Sequence, residues 1–221
     1  MRQLSKFAAV CACGLTMLAA GASAQMGMGM RPSMPSGIFT PTVGAGAAYE
    51  VTSSDGKTQP IEFALVGKES VNGKDGYWME WTTSTGRTGQ MIMKTLIVPG
   101  ATDAPTRMIM QMASGQPMEM PTQGRMGAQA KPNTDIREGG QDLGKESVTV
   151  PAGTFSCEHY RSKDGGDVWI SSQVPLFGMV KSVNNGSTMV LTKAITGAKD
   201  KITGTPVPFN PQMMMQGVQN Q

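Results

Sequence analysis

Two patterns in this sequence place residues where they could do chemistry: a thiol beside an imidazole, and thioethers in alternation. Cys157 and His159 stand two positions apart in Thr154-Phe155-Ser156-Cys157-Glu158-His159-Tyr160. On a strand they share a face, about 6–7 Å apart along the backbone. A nucleophilic cysteine needs a base of this kind within reach. No third residue that would orient the imidazole is identifiable. His159 is the single histidine of the chain, so a multi-histidine metal site is excluded. The favoured reading of Cys157 is structural, because a buried free cysteine behaves as a small hydrophobe. Phosphate-binding glycine loops, a nucleophile elbow and a His-Glu-x-x-His helix are all missing. The expectation is a protein that is not an enzyme and carries no cofactor.

Methionine is the compositional anomaly, at 20 residues. Many recur as Met-x-Met: Met26/Met28/Met30, Met91/Met93, Met108/Met110/Met112 and Met118/Met120. On strands such residues share a face, and thioethers are soft ligands suited to Cu(I). Met108, Met110 and Met112 form the candidate set. The plainer alternative is an adaptable core in which methionine replaces leucine and valine. Both readings stay open at this level.

The elements that would position these residues begin after a leader. Met1 to Lys6 is short and basic, an apolar run extends from Phe7 to about Ala20, and Ala22-Ser23-Ala24 ends it. That order is a secretory signal, with cleavage expected after Ala24 and a periplasmic mature protein. The run is too short to span a bilayer, which takes roughly 20 apolar residues, and no second one is long enough. Cys11 and Cys13 leave with the leader, so Cys157 is a lone thiol without an internal bridge. The formal charge of +3 falls to +1 once Arg2 and Lys6 are removed. No basic block remains that would suit a nucleic acid.

Residues 25–44 are rich in Gly, Met, Pro and Ser and read as a flexible arm. The stretch 203–221 reads as a flexible tail. Between them, 45–202 read as one β domain of short alternating segments, such as Ile61-Glu62-Phe63-Ala64-Leu65 and Tyr77-Trp78-Met79-Glu80-Trp81. Hairpin signals stand at Ser54-Asp55-Gly56, Asn72-Gly73, Lys163-Asp164-Gly165-Gly166 and Asn184-Asn185-Gly186. Residues 113–143 read as a long mobile crossing. An internal echo, Gly67-Lys68-Glu69-Ser70-Val71 against Gly144-Lys145-Glu146-Ser147-Val148, suggests one strand-turn-strand unit used twice. Several strands are apolar on both faces: Trp78 points opposite to Trp81, and Asp167-Val168-Trp169-Ile170 leads into Val174-Pro175-Leu176-Phe177. Such strands either line a cavity or lie under a covering element.

Val148 to Cys157, the Trp169-Ile170-Ser171 strand and Val174 to Lys181 resemble uncharacterised exported bacterial proteins similar to the LolA/LolB-like superfamily of periplasmic lipoprotein-localisation factors. The resemblance is firmest over 144–194. It implies a mainly β fold, a single curved antiparallel sheet forming a half-barrel around an apolar concavity that takes up acyl chains. Its partner would be a lipid or other amphiphile. On that expectation Trp78, Trp169 and Phe177 border the ligand. The alternatives are the methionine-based Cu(I) binder and a structural or envelope-interaction protein without a small ligand.

Overall fold

The computed structural model describes residues 39–85, 89–99, 105–113, 115–122 and 135–210. The expected leader, most of the expected arm and the end of the expected tail lie outside the described residues. In chain order the elements are β1 (Gly46–Thr52), β2 (Thr58–Val71), β3 (Lys74–Thr85), β4 (Gly89–Ile97), β5 (Arg107–Met112) and β6 (Met118–Met120). There follow α1 (Ile136–Gly139), β7 (Gln141–Val150), β8 (Gly153–Arg161), β9 (Asp167–Ile170), β10 (Met179–Asn184), β11 (Ser187–Ile195) and β12 (Val207–Pro208). No helix among the described residues is long and apolar enough to cross a membrane.

All the strands belong to one sheet, ordered β12-β6-β5-β4-β3-β2-β1-β11-β10-β9-β8-β7. Two meanders, β1 to β6 and β7 to β11, are joined where β1 pairs with β11 and Tyr49 faces Leu191. The four turn signals all fall between paired strands. Asn72-Gly73 and Asn185-Gly186 carry positive φ at both central residues (49° and 77°, 49° and 76°), the geometry of turns whose twist matches that of the flanking strands. The echo is structural as well. Gly67 and Gly144 each directly follow a register shift in their strand, and each lies on the outgoing strand of a hairpin.

The half-barrel expectation is overturned. The sheet is neither closed nor strongly curled, and it is mixed, because β12 runs parallel to β6. The two-sided apolar strands have another cause: each face is covered by a length of the same chain.

On the first face, Tyr49, Phe63, Leu65, Met79 and Trp81 meet Leu191, Val180, Ile170 and Val168 in one core. The connection from β9 to β10 lays Val174, Leu176 and Phe177 into it. Phe177 packs edge-on against Phe63, with ring centroids 6.2 Å apart, and tilts against Phe39 at 5.6 Å. Tyr49 crosses the core to donate its hydroxyl to the Met179 carbonyl at 3.1 Å. The connection turns back at Gly178, whose φ of +69° and 3.1 Å approach of a would-be Cβ to the Ser171 carbonyl suit only glycine.

On the second face, residues 198–205 lie across β2 to β5 above Trp78, Leu96 and Ile109. The stretch 113–143, read as a crossing, contains β6 and α1 and the start of β7. Residues 203–208, read as tail, are tied to β5 and β6: Thr203 N–H donates to Gln111 Oε1 at 3.1 Å, and Val207 pairs with Met118.

Candidate functional site

The register of β3 to β6 sorts the methionines into rows. Trp81 faces Met93, Met93 faces Met110, and Met110 faces Met118. In the next row Met79 faces Thr95, Thr95 faces Met108, and Met108 faces Met120. On the other side Thr83 faces Met91 and Met91 faces Met112. Seven methionines of β4, β5 and β6 therefore share one face. Met110 and Met118 are buried, and the other five are half-buried. The main core reaches this surface only as far as Met91 and Met93. A cleft of about 430 Å³ between Met120, Pro121, Pro208 and Phe209 borders it. Alternation had put Met108, Met110 and Met112 on one side of a strand. Met91, Met93, Met118 and Met120 join them only through the pairing, which no local pattern encodes.

The three aromatic residues expected to border a ligand are not brought together. Phe177 is completely buried in the core of the first face. Trp78 belongs to the smaller cluster on the second face, with Lys94 Nζ 5.0 Å and the Arg107 guanidinium 5.2 Å from its ring. Its indole N–H donates to Glu69 at 3.0 Å. Trp169, on β9, stacks on His159 with centroids 4.3 Å apart, under Lys181 Nζ at 4.7 Å, and donates to Glu146. Glu69 and Glu146 are the matching residues of the sequence echo, so each copy seats an indole beneath a cation.

Cys157 and His159 are not poised for attack. His159 Nδ1 lies 3.0 Å from Glu146 Oε1 and Nε2 lies 3.1 Å from Asp167 Oδ1. Both ring nitrogens are thus occupied by carboxylates. Cys157 is 1% exposed, and its Sγ donates weakly to the Phe155 carbonyl. Burial, reinforced by the Glu146 charge, pushes the thiol up to about 11. A protonated, enclosed thiol is a poor nucleophile.

A polar network lies under residues 198–205. Glu80, 1% exposed, accepts the Lys201 backbone N–H at 3.0 Å, while its Oε1 is buried without a hydrogen bond among the described residues. Lys94 pairs with Asp200 and Lys201 with Glu62. Gln111 donates to the Gly115 carbonyl at 2.7 Å. The network fastens one part of the chain to another. The cleft of about 160 Å³ lined by Thr40, Ser171, Val174 and Leu176 is too small for a chain-like ligand.

No family model matches this chain, and no curated protein does. Among solved structures it is similar to a protein described as exported, with a YmcC-like fold, from Bacteroides fragilis NCTC 9343. Identity is 15%, the match covers 72% of this chain and 99% of that one, and the TM-score is 0.35. A protein described as a lipoprotein from Parabacteroides distasonis ATCC 8503 matches at 15% identity over 73% and 100%, again with a TM-score of 0.35. Likeness at this level assigns no role.

Proposed function

We propose that this is an exported periplasmic protein that binds an apolar or acyl-chain ligand without covalent chemistry, on the methionine face of β4 to β6. The observation that carries the reading is the row register, which gathers seven unbranched, polarisable side chains into one half-buried surface. Methionine surfaces re-pack around ligands of irregular shape. Each methylene moved out of water contributes about 0.8 kcal/mol, so some ten to twelve methylenes reach the roughly 8 kcal/mol of micromolar binding before the cost of association is subtracted. The basic, apolar, small-residue order of residues 1–24 supports export. The occupied nitrogens of His159 and the raised Cys157 thiol support binding over catalysis.

Titration of delipidated mature protein with a fluorescent long-chain fatty acid tests the reading. Saturable micromolar binding is expected, weakened at least tenfold by Met108→Gln together with Met112→Gln. A wild-type titration that never saturates would refute it.

A further inference from the structure

We propose that the central methionine row, Met93-Met110-Met118, forms a three-thioether site for Cu(I). The proposal rests on reading this face as the binding surface and assigns it a second occupant. Residues directly opposite on paired strands have Cβ atoms about 4.5–5.5 Å apart, whereas residues two apart on one strand are separated by about 6.8 Å. Cross-strand rows therefore converge sulfurs better than the strand-wise set Met108, Met110 and Met112. Met110 is the pivot, facing Met93 on one side and Met118 on the other. Met110 and Met118 are buried and Met93 is half-buried, so the row is largely withdrawn from water.

The donor chemistry selects the ion. Thioethers are neutral and soft, and they favour Cu(I) over hard divalent cations. The rows are continued by Trp81, Thr83, Thr95 and Met79 on β3 and β4 and by Val207 beside Met118 on β12, and none of these residues carries a carboxylate or imidazole to hold Zn²⁺, Ca²⁺ or Mg²⁺. A thioether has no proton to lose, so uptake does not compete with acid as thiolate or imidazole sites do. Trp81, next in line beyond Met93, sets an aromatic wall beside a monovalent cation. Met91, Met112, Met108 and Met120 in the adjoining rows offer replacement ligands through which the ion can arrive and leave.

The test is transfer of Cu(I) from its bicinchoninate complex to the full mature chain under ascorbate, at pH 5 and pH 7.5. One ion per chain is expected at both pH values. Met110→Leu conserves volume and removes the pivotal sulfur. It should lower Cu(I) affinity at least 100-fold with the thermal midpoint nearly unmoved, and Met93→Leu serves the same purpose if that variant folds poorly. Met189→Leu, on β11 away from the rows, should leave affinity within about threefold. Absence of transfer, or Met110→Leu and Met189→Leu behaving alike, overturns the site. A parallel fatty-acid titration of wild-type protein separates the two readings. Lipid binding without Cu(I) transfer overturns the metal site alone. Cu(I) transfer lost in Met110→Leu, without lipid binding, supports the site and overturns the acyl-chain reading alone.

Discussion

Glu80 Oε2 accepts the backbone N–H of Lys201 at 3.0 Å, joining residues 121 positions apart and fixing 198–205 across the second face of the sheet. Around the Glu80 carboxyl stand Asp200 and Lys201 of that segment, Lys94 of β4, and Glu62 of β2, which pairs with Lys201. Burial raises Glu80 from 4.5 to about 7; the Lys201 amide opposes this and the Asp200 carboxylate adds to it.

A pH dependence of known sign follows. The folded protein holds the Glu80 proton up to about pH 7, while an unfolded carboxyl releases it near 4.5. The stabilisation is complete below pH 4.5 and is lost as pH rises through 7. The shift from 4.5 to about 7 corresponds to roughly 3 kcal/mol. Urea midpoints should fall between pH 5.5 and pH 8, and amide exchange over 198–205 should quicken. Glu80→Gln keeps a hydrogen-bonding side chain and should flatten both trends. A midpoint that rises with pH in the wild type would show that other groups govern the interval.

Phe177 and Trp78 give a second prediction, since each is buried against a different face. Phe177→Ala opens a cavity between Phe63 and Phe39 and should cost about 3–5 kcal/mol. Trp78→Ala removes the centre of the other cluster and should cost a similar amount. Neither residue belongs to the methionine rows, so fatty-acid affinity of the folded protein should survive both changes. Chemical denaturation paired with ligand titration measures the two quantities separately. Loss of affinity at unchanged stability would return these residues to a ligand wall.

What could be read from the sequence was whatever is decided locally. Asn72-Gly73 and Asn185-Gly186 announce their turns because the backbone geometry lies in those two residues. The alternation in Tyr77-Trp78-Met79-Glu80-Trp81 reports a strand for the same reason. The second face of β3 stays open between a cavity and a cover in the sequence, because Trp78 is covered by a segment more than a hundred positions away. Ala198 to Thr205 has no apolar period of its own, and its partners Glu80 and Gln111 give no local sign of it. The methionine rows lay between these cases. Each Met-x-Met pair was visible, but Met93, Met110 and Met118 become neighbours only once the register of three strands is known. The curved sheet failed because apolar residues on both faces show that both are covered, and they do not say by what.

The third prediction concerns Cys157, the one cysteine among the described residues. Its thiol is enclosed beside Phe155 and close enough to Glu146 to feel that charge, and both burial and charge keep it protonated. Attack on a disulfide reagent requires the thiolate, so at pH 7.5 a thiol at about 11 reacts far more slowly than a free cysteine. Enclosure slows it further, because reagent must wait for the β7–β8 hairpin to open. Labelling of the native mature protein should therefore be slow and become rapid in urea, with a transition that tracks unfolding. Cys157→Ser puts a hydroxyl where the sulfur made only a 3.6 Å contact with the Phe155 carbonyl. The stability cost should be about 1–3 kcal/mol. Cys157→Ala, which adds no polar group, should cost less. Rapid labelling of the folded protein would instead mean a reactive thiol, and would reopen the pairing of Cys157 with His159 as chemistry.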